Sequence, residues 1–266
     1  MNKIFKMYCL SLNPNHLQKI TDLNYIPVGL GNKNFSGSWF SDNLGNNISY
    51  KNSMYGEYTF HYSLWKNQLL EDNKWFGFCT YRRFWSNSST IKNITNFENT
   101  ILKEIPKEWE NYEVILAKPI MINKTKLSKI LKHGKKILLK NPFLFFNSKN
   151  ITIKTHFDMY HGYGNLDKAI NLLDDKNRDE FRNFVNKNNS FNPYNMFVCR
   201  SKEILLNYYE SIFPWLESCE SIFGLNTEDE YGKKRIYGFL AERYLSFWFN
   251  KYYKTLSWPV IFNDIT

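Results

Sequence analysis

The stretch Lys74–Phe84, KWFGFCTYRRF, constrains the fold more than any other part of the chain. From Trp75 to Tyr81 the residues are apolar or aromatic, apart from Gly77 and Thr80. The run is too short for a typical helix and rich in types that favour extended chain, so it predicts a buried strand. A strand with one solvated face would alternate apolar and polar residues. A run without alternation fits a parallel strand covered on both faces. Arg82 and Arg83 follow directly. In open α/β sheets ligands bind beyond the carboxyl ends of the strands, and two permanently charged forks there suit a phosphate. The same pair equally suits a plain strand end, with both guanidiniums on surface carboxylates.

The flanking segments supply the rest of such a sheet. Lys3–Leu10, Tyr112–Ala117, the end of Asn192–Arg200 (NPYNMFVCR) and Trp258–Phe262 read as strands. Ser53–Leu70 reads as a helix, with Met54, Tyr58, Tyr62, Trp65 and Leu69 forming its apolar stripe. Phe97–Leu102 reads as a short helix and Leu166–Val185 as a longer one. Ser201–Phe213 reads as a helix stopped by Pro214. The last helix lies within Arg235–Trp248, with Phe239, Leu240, Tyr244, Leu245 and Trp248 on its apolar face. Strands and helices alternate, which predicts an α/β fold with a mostly parallel central sheet flanked by helices. The 266 residues are read as one domain, 1–266. A lysine-rich excursion over about 121–150 is suited to docking on an acceptor or a membrane surface.

Several polar groupings are candidates for chemistry. A long loop runs to Asn52 and carries Asp42, Asn43, Asn46, Asn47 and Lys51, a set able to hold sugar hydroxyls or phosphate, or simply to be solvated. Glu57 and His61, four apart, share a helix face; Glu57 in a first turn also complements the helix dipole. His156, Asp158, Tyr160 and His161 crowd the tract KTHFDMYHGYG, whose two histidines, five apart, do not face one way on a helix. Glu242, Ser246 and Asn250 line a polar face four apart. Lysine and arginine number 35 against 25 acidic residues, a net charge of +10. That excess implies an anionic partner. No nucleic-acid module signature is present, so nucleic acid is set aside. Cys9, Cys79, Cys199 and Cys219 are widely spaced, without metal-site spacing, and are expected as buried free thiols of a reducing compartment. The chain shows neither a leader nor a membrane span, and the expectation is a cytoplasmic protein. The glycine fingerprints of dinucleotide and P-loop sites and the GxSxG elbow are missing.

Taken in order, DNLGNNISYKN, YGEYTFHYSLWKN, WFGFCTYRRFW, NPYNMFVCR, YYESIFPWLES and RIYGFLAERYLSFW resemble a family of bacterial capsule and exopolysaccharide glycosyltransferases. That family was long catalogued as a domain of unknown function, and some members are assigned as galactofuranosyltransferases. The resemblance spans roughly Lys3 to Trp258 and is most specific at the strand-plus-YRR and GFLAER segments. It implies a GT-A-like fold, a hexose moved from a nucleotide-sugar donor (a UDP-sugar first), and a cell-surface polysaccharide or lipid-linked glycan acceptor. With the lipid-linked acceptor it implies, the +10 charge and the lysine-rich Lys124–Lys140 stretch predict peripheral association with the anionic inner face of the cell membrane. Under it, Tyr81, Arg82, Arg83, Asp42, Asn43, Lys51, Arg235 and Arg243 become donor-binding candidates. His156, Tyr160, His161 and Asn195 become acceptor-binding candidates. Glu242 is the favoured catalytic base, with Glu57 and Asp158 as rivals, because some inverting GT-A enzymes carry a catalytic acid at the start of a helix late in the sheet; Glu242 equally suits a plain salt bridge to Arg243 or Lys234. The chain departs from the family where Thr80 stands for the usual histidine, and where a tyrosine-then-histidine segment is compressed to Tyr160–His161. Many GT-A enzymes hold a divalent metal with an Asp-x-Asp after the central strand. Tyr81-Arg82-Arg83 stands there instead, so the resemblance suggests fixed cations in that role and leaves Mn or Mg bound elsewhere open. The other reading is a catalytically inactive nucleotide-sugar- or glycan-binding protein on the same scaffold.

Overall fold

The structure, a computed structural model, describes residues 4–31, 33–72, 74–91, 96–122, 151–225 and 231–266. Nearly all of the lysine-rich excursion lies outside the described residues.

The chain opens with strand β1 (Ile4–Ser11), helix α1 (Leu17–Asp22), and strands β2 (Ile26–Gly29) and β3 (Phe40–Ser41). Helices α2 (Asn52–Tyr55) and α3 (Tyr58–Lys66) lead to β4 (Lys74–Thr80), which turns back at once into β5 (Arg83–Trp85). Next come β6 (Val114–Ala117), β7 (Ile120–Met121), α4 (Ile153–His161), α5 (Asn165–Ile170), α6 (Asp175–Lys187), β8 (Ser190–Phe191) and β9 (Phe197–Cys199). Helices α7 (Lys202–Phe223), α8 (Tyr231–Lys234) and α9 (Ile236–Tyr252) precede the closing strands β10 (Thr255–Trp258) and β11 (Val260–Phe262). The main sheet runs β10-β6-β9-β4-β1-β2-β3. Along that path β9 is antiparallel to both neighbours and every other pairing is parallel. The expected class, a mostly parallel sheet flanked by helices, is the observed one.

The unbroken apolar run of β4 has a simple cause. Phe76 and Phe78 enter a core shared with Tyr58, Phe60 and Leu64 of α3, Tyr208 and Ile212 of α7, and Tyr244 and Leu245 of α9. Trp75 and Cys79 enter a second core with Met7, Cys9, Trp85, Trp109 and Trp258. Each face of the strand is buried, so neither side calls for polar residues. All four cysteines are buried free thiols. No helix among the described residues is long and apolar enough to cross a membrane.

Several element boundaries differ from the sequence reading. The helix expected over Ser53–Leu70 is two pieces, because Gly56 sits at φ 59°, ψ −131°, a conformation open to glycine and few others. Pro214 does not end its helix: α7 runs through it. Ile212 and Phe213 before it, and Trp215, Leu216 and Cys219 after it, are all buried. At about 1.5–3 kcal/mol per large buried side chain, that packing outweighs the ~3 kcal/mol cost of an interior proline. Leu166–Val185 is split into α5 and α6, where Asp174 Oδ1 accepts from Asn177 N at 3.0 Å and starts a new helix. Phe97–Leu102 is no helix; Ile101 bridges to Ser86 instead. Pro259 divides the closing strand between β10 and β11.

Candidate active site

From β1 the chain moves through α1 to β2 on one side, while β4 lies on β1's other side. The loops beyond β1 and β4 therefore diverge, leaving a crevice at the carboxyl ends of the two strands, where ligands sit in open α/β sheets. A cleft of about 610 Å³ occupies that place. Ser11 and Leu12 line it from the end of β1, Thr80 to Arg83 from the turn between β4 and β5, and Gly56 and Glu57 from the break between α2 and α3. Arg235, Gly238 and Glu242 line it from α9 and its cap, and Tyr194 and Asn195 from the loop before β9.

The cationic groups differ in how they are held. Arg82 Nε pairs with Asp264 at 2.8 Å, and its side chain is 47% exposed. Arg83 starts β5, has no carboxylate partner among the described residues, and lies 4.2 Å over the Tyr194 ring. Arg235 Nη2 faces Glu57 at 3.5 Å, and its Nη1 donates to the Tyr231 hydroxyl at 3.1 Å. Gly56 packs against the same guanidinium, and a Cβ there would collide with it. Gly56→Ala is therefore expected to cost about 1–3 kcal/mol from backbone strain and to displace Arg235. Chemical denaturation checks the first effect and loss of ligand affinity the second; an unchanged midpoint and affinity would remove Gly56 from the site's architecture.

Glu242 is the best-held carboxylate. Its Oε1 accepts from Tyr194 N at 2.6 Å and its Oε2 from Arg243 Nη1. The helix face carrying Glu242 grips the loop at three points. Ser246 Oγ accepts from Asn192 N at 2.7 Å, Glu242 takes Tyr194 N, and Gly238 O accepts from Asn195 Nδ2 at 3.1 Å. The i, i+4 polar face thus fastens the loop that bears part of the site. Behind it Arg243 is fully buried, 4.2 Å from the Phe191 ring and 3.4 Å from His156 Nδ1.

The cleft brings together Glu242, Glu57, Tyr81, Arg82, Arg83, Arg235 and Asn195 from the candidate set. The remaining candidates do not line it. Asp158 is buried against Lys154 (2.6 Å) and Gly164 N (3.1 Å); burial raises its carboxyl, with Lys154 opposing. Asp42, fully buried, accepts from Gly31 N and from Thr59 Oγ1 (2.5 Å), anchoring the polar loop rather than facing a ligand. Asn43 is exposed and accepts from Ser41 Oγ at 2.7 Å. Lys51 is buried in an ion pair with Glu220 at 2.7 Å. Arg243 lies behind the cleft wall. His156 contacts that arginine, Tyr160 packs on His156 at 4.9 Å, and His161 stacks on Phe239 at 4.0 Å. His61 does not accompany Glu57 to the site; it is buried against Tyr209 OH at 2.8 Å. Tyr194, Gly56 and Gly238 were not evident as lining residues from sequence, because their places depend on the α2–α3 break and on the loop's attachment to α9.

The residues do not fit a metal held on the strand end. The position after β4 carries Tyr81, Arg82 and Arg83, Glu242 is already paired with the Arg243 guanidinium, and Glu57 faces Arg235. Among the described residues, no three His, Cys, Asp or Glu side chains converge.

A family model described as a domain of unknown function (DUF4422) matches residues 6–254. No curated protein matches the chain. Among solved structures, the chain is similar to the WbbM bifunctional glycosyltransferase in its apo form, at 22% identity and a TM-score of 0.68. The match covers 97% of this chain and 45% of that one, so the chain spans less than half of WbbM's length. A looser likeness, 13% identical with a TM-score of 0.31, covers 92% of this chain and 69% of core-mannan synthase A (CmsA/Ktr4) from Aspergillus fumigatus in its Mn/GDP form. The WbbM likeness shows the fold, which is GT-A-like.

Proposed function

The chain belongs to the DUF4422 family, and we propose that it is a glycosyltransferase acting in the cleft beyond β1 and β4. One observation carries this reading: a cleft at the sheet's switch point holds Arg82, Arg83, Lys234 and Arg235 together with the fixed carboxylate of Glu242. Breaking a sugar–phosphate bond leaves negative charge on the departing nucleoside diphosphate. Fixed cations in a cleft stabilise that charge as it develops. In an inverting reaction the acceptor oxygen bonds to the sugar's anomeric carbon as the bond to phosphate breaks. The acceptor's proton then passes to Glu242. The donor class proposed is a UDP-hexose, with galactofuranose the first to test, and the acceptor a cell-surface or lipid-linked glycan. The chain is read as one domain, and its net charge of +10 suits peripheral attachment to an anionic inner membrane face.

Incubation with a panel of nucleotide sugars tests the reading. Release of nucleoside diphosphate, accelerated by a glycan acceptor, is the expected result; binding without turnover of any donor would leave only a binding protein.

Arg83→Ala is expected to weaken nucleoside diphosphate binding roughly ten- to a hundredfold, the loss of a charge-assisted hydrogen bond of about 1.5–3 kcal/mol. Arg82→Ala should cost less, because Arg82 is exposed and already paired with Asp264. Lysine at 83 should rescue only in part, since it lacks the bidentate fork. Calorimetry that finds both alanine variants binding like the parent would move the clamp to Lys234 and Arg235.

A further inference from the structure

Two polar atoms of the cleft wall are buried and have no hydrogen-bond partner among the described residues: Asn195 Oδ1 and Thr80 Oγ1. Asn195 is 8% exposed. Its amide is oriented by the rest of the fold, because Nδ2 donates to the Gly238 carbonyl at 3.1 Å, and a carbonyl cannot accept from the oxygen end. Oδ1 is therefore fixed as the free acceptor. The β4–β9 register pairs Phe76 with Cys199 and Gly77 with Val198. Thr80 is the last residue of β4 and Asn195 lies two residues before β9, so the two line the cleft from neighbouring strand ends. The backbone is held in an unusual form at this point: Tyr194 and Asn195 have φ of 79° and 53° in succession. Such conformations persist where surrounding contacts enforce them, and they gather at ligand sites. Here the enforcing contacts are those of Glu242 and Gly238.

We propose that Asn195 and Thr80 form the subsite that reads a hydroxyl of the transferred sugar, an inference that rests on the glycosyltransferase reading above. Phosphate oxygens carry no proton to give Asn195 Oδ1, so a diphosphate does not satisfy that atom. The partner must bring an O–H or N–H. In a nucleotide sugar both the sugar and the nucleoside have such groups, lying on opposite sides of the diphosphate. Tyr194, next to Asn195, donates its N–H to Glu242. The subsite therefore adjoins the proton acceptor, where the reacting sugar has to lie and the nucleoside does not.

The test compares the affinities of UDP, GDP and dTDP with those of their hexose conjugates, by calorimetry on the parent, Thr80→Val and Asn195→Gly. Valine keeps the β-branched shape that suits the end of a strand and removes a hydroxyl with no partner among the described residues, so Thr80→Val should melt no lower than the parent. Glycine at 195 retains the left-handed backbone without strain. Each variant is expected to weaken the hexose conjugate roughly three- to tenfold more than the free diphosphate. Equal weakening of conjugate and diphosphate would assign the subsite to the nucleoside diphosphate and overturn the inference. Unchanged affinity for both would overturn it as well. A parent that binds none of these ligands would instead overturn the glycosyltransferase reading, and this inference with it.

Discussion

Glu242→Gln is expected to lower turnover by roughly a hundred- to ten-thousandfold, the usual contribution of a positioned general base, while nucleoside diphosphate still binds. The carboxylate is an acceptor held by a backbone N–H and by the Arg243 guanidinium, so it is fixed in place with lone pairs left for an acceptor hydroxyl. Glutamine keeps the shape and loses the ability to take a proton. One end of its amide must also turn an NH₂ toward Tyr194 N or Arg243, so a stability loss of about 1–3 kcal/mol should accompany the change. Turnover is therefore compared at a temperature well below the variant's own melting point. Glu57→Gln is the discriminating control. Glu57 lines the same cleft and faces Arg235 at 3.5 Å. If Glu57→Gln abolishes turnover and Glu242→Gln does not, the proton goes to Glu57.

The parts of this arrangement that could be read from sequence are those that follow from local pattern. The apolar run of β4 demanded cover on both faces and received it, and the arginines after it had to emerge at the strand's carboxyl end. The i, i+4 spacing of Glu242, Ser246 and Asn250 put two gripping residues on one helix face, though the loop they grip was not legible. Long-range packing decided the rest. Asp42 and Lys51 look like ligands for phosphate in a polar loop. Each is drawn inward by a partner distant in sequence, Thr59 for one and Glu220 for the other. Asp158 lies four residues from Lys154 and finds its ion pair locally, which removes it from the cleft. Pro214 reads as a stop because its cost is local, whereas the burial that overrides it comes from helices and strands elsewhere in the chain. The unpartnered oxygen of Asn195 could not be inferred at all, since it depends on which end of an amide meets the Gly238 carbonyl.

Acid should unfold this protein early, and buried histidines are the reason. His61 is fully buried among Phe78, Phe197 and Tyr209, and burial pushes its imidazole down to about 3. His156 is likewise pushed down to about 3, by burial first and by the Arg243 charge second. His161, stacked on Phe239, is held well below its ordinary value by burial, then by Arg243. In the unfolded chain each imidazole returns to about 6.5. Below that pH the unfolded state takes up protons that the folded state refuses until about pH 3, so the stability present above pH 6.5 is lost as pH falls toward 3. At pH 5 the loss is about 2 kcal/mol for each of His61 and His156, roughly 4 kcal/mol together, a large share of a typical 5–15 kcal/mol fold. Asp42 and Asp158, raised by burial, act in the opposite sense at lower pH, so the histidine contribution is best isolated by difference. His61→Phe retains a ring in the aromatic cluster and leaves the Tyr209 hydroxyl without its partner, an offset of about 1–3 kcal/mol that does not depend on pH in this range. His61→Phe also removes Nε2, buried with no partner among the described residues, a gain that opposes that loss, so urea unfolding of parent and variant between pH 7 and pH 4 is read from the slope of the variant's stability. Its decline below pH 6.5 should be shallower by about 1.4 kcal/mol per pH unit. A variant whose stability falls in parallel with the parent's would mean that His61 is charged in the fold, and that a buried neutral imidazole is not what makes this protein acid-sensitive.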